Sequence, residues 1–305
     1  MRSETLRLSG VRKRYGDVEA VRGIDLMIAS GGVFGLLGPN GAGKTTTLEI
    51  IEGLRLPDEG TIQYGSWDLL AEPHIARERF GVQLQQSAFF ELLSVDETID
   101  LFASFYEKPL APDLLIARVE LEDKRSAYVQ QLSGGQRQRL AVAIALVNDP
   151  EVVFLDEPTA GLDPQARRNV WDSVLELKKE GRTVVLTTHY MDEAEVLCDR
   201  LAIMDHGRIL DEGTPRDLIA RHRPGAIIEV DRSVPIPPDL SLPGLERVET
   251  GPEAIVLVTE RLDRTLAALA SWAGTEGVAL TSLRTRTATL EDVFLHLTGR
   301  SLRDE

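Results

Sequence analysis

Four short, nearly unbroken apolar runs punctuate the first two thirds of the chain: Val33–Leu37, 152–155, 184–187 and 201–204. A strand buried on both faces reads this way, because it has no solvent side toward which to alternate. Helical spacing fills the gaps between the last three runs. In the stretch 167–180, Val170, Val174 and Leu177 return to one face. Strand alternating with helix predicts an α/β fold with a largely parallel core sheet.

The pattern changes near residue 221. The run Ser233-Val-Pro-Ile-Pro-Pro cannot continue a helix and reads as a linker or sheet edge. Beyond it come a strand candidate at 254–258, an amphipathic helix with Leu262, Leu266 and Leu269 on one face, and a strand candidate near 278–283. A last helix opens with a capping-box pattern, Thr289-x-x-Asp292. Two domains are therefore expected: a main α/β domain at 1–221 and a small α+β appendage at 222–305.

Length and composition narrow the picture. The 305 residues suit one large and one small domain. With 43% apolar and 27% charged residues, the chain is globular rather than disordered. A net charge of -15 repels a phosphate backbone, so nucleic acid is not the expected partner. The one cysteine, Cys198, allows no internal disulfide and no cysteine-rich zinc site, and reads as a small buried residue. The first ten residues carry Glu4 and no apolar stretch, so they do not read as a signal peptide. No run approaches the roughly 18 to 20 apolar residues of a membrane span. Any membrane role needs a second chain.

Candidate chemistry begins at Gly38, Pro39, Asn40, Gly41, Ala42, Gly43, Lys44 and Thr45, followed by Thr46. This fits G-x-x-x-x-G-K-[ST], set between a strand and a helical stretch at 45–52. Glycines let successive backbone N–H groups turn inward around phosphate oxygens, and the helix start adds partial positive charge. Lys44 is placed to reach the β and γ phosphates, and the Thr45 hydroxyl to ligand Mg²⁺. A chance match in a chain of this size has odds of about one in a hundred. Nucleotide binding is the expectation, with GTPases, kinases and motors still open.

The run 152–155 ends in Asp156 and Glu157. Strand C-termini form the ligand-binding edge of an α/β sheet. Asp156 is placed to hold Mg²⁺, directly or through water, and Glu157 to polarise an attacking water. A second signature, Leu132, Ser133, Gly134, Gly135 and Gln136, stands just before a helical stretch at 137–147. It is a second anion-binding helix start in a chain expected to hold one nucleotide.

With these motifs in this order, residues 5–220 resemble the ATP-binding subunits of ABC transporters. The resemblance implies a P-loop NTPase fold of ABC type, with a helical subdomain at about 86–150. It also implies ATP and Mg²⁺ as ligands. A second ABC subunit, taken here as an identical copy, is the implied partner. The phosphate loop of one subunit and the Ser133 segment of the other then close on the same ATP. Tyr15 matches the aromatic that stacks on adenine, for which its ring offers a π-face. Gln85 matches the glutamine that senses Mg²⁺ and the attacking water, although Gln83 and Gln86 stand close enough to take that place. Leu84 departs from the proline many relatives carry there. Asp163 matches the loop that crosses the dimer interface, and His189 the histidine that contacts the γ-phosphate. The aromatic-rich stretch 87–106 leads into the helical subdomain and contributes to the groove for the membrane subunit. Core packing is the expected use of most of Phe89, Phe90, Leu92, Leu93, Phe102 and Phe105, with Phe89 and Phe90 as candidate contacts.

The segment 81–85, the stretch Thr187-Thr-His-Tyr-Met-Asp-Glu-Ala-Glu and the tail 290–300 resemble daunorubicin-resistance-type subunits of ABC-2 exporters. That resemblance implies an ATPase on the cytoplasmic face of the membrane. It would power export of drugs, lipids or other amphiphiles through a separate multi-span subunit. An importer subunit predicts a different tail and a solute-binding protein. A soluble ABC ATPase of translation or repair predicts two nucleotide domains or a long coiled-coil insertion. A purely regulatory binder would not need Glu157 and His189.

Overall fold

The computed structural model describes residues 5–85, 88–222, 225–251, 254–280 and 282–299. Two compact units emerge, Met1–Thr214 and Pro215–Glu305.

The first unit opens with β1 (Leu6–Tyr15), β2 (Val18–Ile28) and β3 (Val33–Leu37), then α1 (Lys44–Ile51). Next come β4 (Glu59–Tyr64), β5 (Trp67–Asp68), α2 (Pro73–Arg79) and β6 (Phe80–Gln83). A helical run follows: α3 (Val95–Ala103), α4 (Pro112–Arg118) and α5 (Gly134–Ala145). The unit closes with β7 (Val152–Asp156), α6 (Pro164–Lys179), β8 (Thr183–Thr188), α7 (Met191–Leu197), β9 (Arg200–Asp205) and β10 (Arg208–Gly213).

Six strands form the main sheet in the order β10-β9-β3-β8-β7-β6. All neighbours pair in parallel except the β9–β10 hairpin. Every residue of β3, β7 and β8 is buried, as their unbroken apolar character predicts. The strand order places the C-terminal ends of β3, β7 and β8 side by side, which is where the candidate chemistry sits.

A second, antiparallel sheet has the order β2-β1-β4-β5 and escaped the sequence pattern. Its strands bury one face only, and register shifts between Leu8 and Val11 break the alternation of β1. Leu8, Ile24 and Ile62 share one apolar cluster with Leu48 and Ile51 of α1 and Phe154 of β7. The helical run carries its own buried residues, including Ile99, Leu115 and Leu140. The start of α3 is fixed by a capping box in which Ser94 N donates to Glu97 Oε2 at 2.8 Å.

The second unit contains α8 (Pro215–His222), β11 (Ala226–Asp231), β12 (Leu245–Thr250), β13 (Ala254–Thr259), α9 (Leu262–Glu276), β14 (Arg284–Thr287) and α10 (Leu290–Thr298). Its antiparallel sheet has the order β12-β13-β11-β14. Leu269 of α9 joins Ile228, Val230, Ile255 and Leu257 in its core.

Three expectations for this region need correction. The boundary expected after Arg221 lies before Pro215, because α8 packs against α10 and buries Leu218. The proline run does not stand clear as a linker: Val234 and Ile236 are buried in the core. The strand expected near 278–283 is absent from the described part of that range. Val278 N instead donates to Ala273 O at 2.8 Å, closing α9, and the strand forms at Arg284–Thr287. Those four residues are all polar, so no apolar pattern marks them. Thr281, Gln86, Ser87 and Arg300 lie outside the described residues.

Candidate ATP site

The phosphate loop spans the gap between β3 and α1. Gly43 caps α1 with φ at 101° and supplies no side-chain cap. A Cβ at Gly43 would meet Ala20 O at 2.3 Å, so only glycine fits this turn. Lys44 is buried, and its Nζ donates to Gly38 O at 2.8 Å and Pro39 O at 3.0 Å.

An open cleft of about 540 Å³ runs over this loop. Asn40, Gly41, Ala42, Gly43, Lys44, Thr45, Thr46, Gln85, Glu157 and Tyr15 all line it. Tyr15 ends β1 with 39% of its surface exposed, so it is not a core aromatic. The Arg55 guanidinium stands 5.3 Å from the centroid of the Tyr15 ring.

Glu157 follows the last residue of β7 in a left-handed conformation, φ 47°, which costs a non-glycine residue energy and re-aims its side chain. Its Oε1 lies 3.3 Å from Lys44 Nζ. Its Oε2 accepts from Gln85 Nε2 at 3.3 Å and stands 3.4 Å from His189 Nδ1. The His189 contact and the Lys44 charge outweigh burial and hold the Glu157 carboxyl down at about 2. Burial pushes the neighbouring Asp156 carboxyl the other way, opposed by the hydroxyls of Thr187 and Thr45.

Asp156 Oδ1 accepts from Thr45 Oγ1 at 3.3 Å. Thr187 Oγ1 donates to the same oxygen and accepts from Glu157 N at 2.8 Å, so one hydroxyl pins both acidic residues. The sequence reading missed Thr187, although it stands two residues before His189 at the end of an apolar strand. It also missed Val18, Glu19, Ala20, Arg22 and His206, which line the cleft from polar turns and a half-exposed strand. Gln83 is buried beside this site, with Nε2 donating to Leu84 O at 2.6 Å, while Gln85 faces the cleft.

The Thr45 hydroxyl, the Asp156 carboxylate and the Gln85 amide are oxygen donors. Such a set fits Mg²⁺, a hard cation that keeps several waters and takes its remaining ligands from nucleotide phosphates.

The second signature stands apart from this cleft. Ser133 is the N-cap of α5, with Gln136 N donating to Ser133 Oγ at 3.3 Å and Ser133 N to Gln136 Oε1 at 2.9 Å. Ser133 and Gly134 are exposed. A Cβ at Gly134 would meet only Leu162 Cδ2, at 3.9 Å, so packing alone does not require glycine there. Leu132 through Gln136 do not line the cleft. Asp163 is exposed and caps α6, accepting from Gln165 N and Ala166 N at 2.9 Å each.

Of the six apolar residues assigned mostly to core packing, none is buried. Phe90, Leu92 and Phe105 are exposed, and Phe89, Leu93 and Phe102 are half-buried. The core beneath α3 is built instead from Val95, Ile99 and Ala103.

Residues 21–160 match the ABC transporter family, and residues 236–289 match an ABC transporter domain-containing protein-like C-terminal domain. The chain is 43% identical over 309 residues to the Nod factor export ATP-binding protein I of Ralstonia nicotianae, covering 98% of this chain and 95% of the relative. It is 38% identical over 312 residues to a daunorubicin resistance ATP-binding protein of Streptomyces coeruleorubidus, covering 99% and 98%. Among solved structures, a dimeric ATP-binding cassette in a post-hydrolysis state bound to ADP and Pi superposes with a TM-score of 0.61 at 29% identity. That match covers 68% of this chain and 98% of the cassette.

The chain belongs to the ABC transporter family, as an ATP-binding subunit of exporter type. Its reaction is the hydrolysis of ATP, coupled to transport. Among the described residues no helix is long and apolar enough to cross a membrane.

Proposed function

We propose that two copies of this chain close on two ATP molecules and drive export of a drug, lipid or other amphiphile through a separate multi-span membrane subunit. The observation that carries the dimer is the separation of the two anion-binding motifs. Lys44, Gln85 and Glu157 gather in one cleft, while the Ser133 helix start is exposed and does not line that cleft. A second copy brings its Ser133 to the first copy's ATP. Nucleic acid has no part in this reading, consistent with the net charge of -15.

In the closed dimer, Tyr15 stacks on adenine, and the amides from Gly38 to Thr46 surround the phosphates. Thr45, Asp156 and Gln85 hold Mg²⁺, which neutralises phosphate charge. Lys44 leaves its pairing with Glu157 to meet the γ-phosphate, where it spreads the charge that develops during in-line attack. Glu157, now facing the attacking water, orients it or accepts its proton. His189 and Ser133 of the partner subunit fix the γ-phosphate, and Asp163 reaches across the interface. ATP favours the closed dimer and hydrolysis releases it, a ligand-biased two-state switch.

The dimer works at the cytoplasmic face of the membrane. A groove of about 410 Å³ lined by Leu54, Phe102, Phe105 and Tyr106 supports docking of the membrane subunit, as do exposed Phe90 and Leu92. The names of the relatives support export, one in Nod factor export and one in daunorubicin resistance. Co-expression with the multi-span protein encoded beside this chain tests the reading. Co-purification, with ATPase activity that amphiphiles stimulate, is the expected result. An active ATPase that binds no membrane partner overturns the transport assignment.

A further inference from the structure

The mechanism above makes no use of Glu193, yet this acid on α7 is completely buried. Its Oε1 accepts from Thr159 Oγ1 at 2.9 Å and from Trp171 Nε1 at 3.0 Å. The Thr188 hydroxyl, which accepts from Tyr190 N at 2.9 Å, also lies against this carboxyl. Burial pushes the Glu193 carboxyl up, opposed by these hydroxyls, the indole and the Arg167 charge.

These partners come from three segments that serve the site. Thr159 stands two residues after Glu157, inside a turn where Ala160 N donates to Glu157 O at 3.1 Å and Leu162 N to Thr159 O at 3.2 Å. That turn ends at Asp163. Trp171 sits on α6, the helix that Asp163 caps. Thr188 precedes His189. A buried carboxylate is costly unless hydrogen-bonded, and so is a buried hydroxyl or indole donor. Each group therefore fixes the others, and the three segments meet at a single side chain that does not line the nucleotide cleft.

We infer that Glu193 is a positioning residue that ties the Asp163 loop to the His189 turn, so that γ-phosphate contact at one ATP sets the loop facing the partner's ATP. This rests on the dimer reading above. Through Thr159 the same tie holds the backbone turn that begins at Glu157.

Thr159→Val is nearly isosteric and removes only the hydroxyl that reaches Glu193. It is expected to lower kcat roughly tenfold to a hundredfold, the scale of misplaced catalytic groups. ATP affinity should stay within about twofold, because the cleft is untouched. Glu193→Leu should give the same pattern if it folds, while Glu193→Gln keeps Oε1 as an acceptor and should recover most of the activity. Combined with His189→Ala, Thr159→Val should lower kcat by less than the product of the two single effects, because both act through one coupled unit. Wild-type kcat in Thr159→Val, equal losses of kcat and ATP affinity, or strictly multiplicative effects overturn the inference. A wild-type chain that hydrolyses ATP without dimerising removes the dimer reading instead.

Discussion

Lys44 Nζ and Glu157 Oε1 stand 3.3 Å apart, and both side chains are almost fully buried. The cation expected to meet the γ-phosphate and the carboxylate expected to meet the attacking water thus pair with each other. Gln85 and His189 approach the other Glu157 oxygen, so this carboxylate joins the phosphate loop, the segment after β6 and the end of β8.

Glu157→Gln removes the base and the charge that competes for Lys44 while keeping the shape. The expected outcome is unchanged or tighter ATP binding, with turnover reduced by about 10² to 10⁴. Calorimetric ATP titration beside a phosphate-release assay checks this. Multiple turnovers at the wild-type rate would contradict the assignment of Glu157.

Gly134 has room for a side chain, so Gly134→Asp should fold normally. An acid in the first turn suits the helix but repels a phosphate brought there by a second subunit. ATP binding to the single chain should persist while dimer-dependent hydrolysis is lost. Retained hydrolysis would show that this helix start receives no phosphate.

Much of this was legible in the sequence because the chemistry imposes it. The phosphate loop needs Gly43 where the chain passes Ala20 O at 2.3 Å from any Cβ, and the buried strands need unbroken apolar runs. What escaped lacked such a local signature. The sheet of β1, β2, β4 and β5 buries one face through bulged strands, β14 is four polar residues, and Thr187 acts through a contact 31 residues away in sequence. Phe105, expected among the core residues, is exposed, because composition cannot tell a core face from an exposed one.

The Glu52 carboxyl is held up at about 8, from an ordinary value of 4.5, chiefly by burial and then by the charges of Asp156 and Glu49. Between those pH values the folded chain keeps a proton that the unfolded chain has released. Stability therefore falls as pH rises from 4.5 to about 8. Glu52→Gln, which cannot ionise, should melt with the wild type below pH 4.5 and on the order of 5 °C higher above pH 8. Melting curves across that range check the sign, and a Tm difference independent of pH would contradict it.

Truncation separates the observed domain boundary from the expected one. A chain ending at Thr214 retains the whole first unit. One ending at Arg221 keeps α8 without α10 and exposes Leu218, which is buried in the intact chain. The shorter product should be the more soluble and aggregate less on heating, as light scattering would report. Equal behaviour would show that α8 needs no partner.

The most direct test of the central claim is the molar mass of the Glu157→Gln protein, by size exclusion with light scattering, with and without ATP and Mg²⁺. The account predicts a monomer that doubles in mass on adding ATP, and no doubling when Gly134→Asp is added. A chain that binds ATP at saturation yet stays monomeric would contradict the shared-nucleotide dimer.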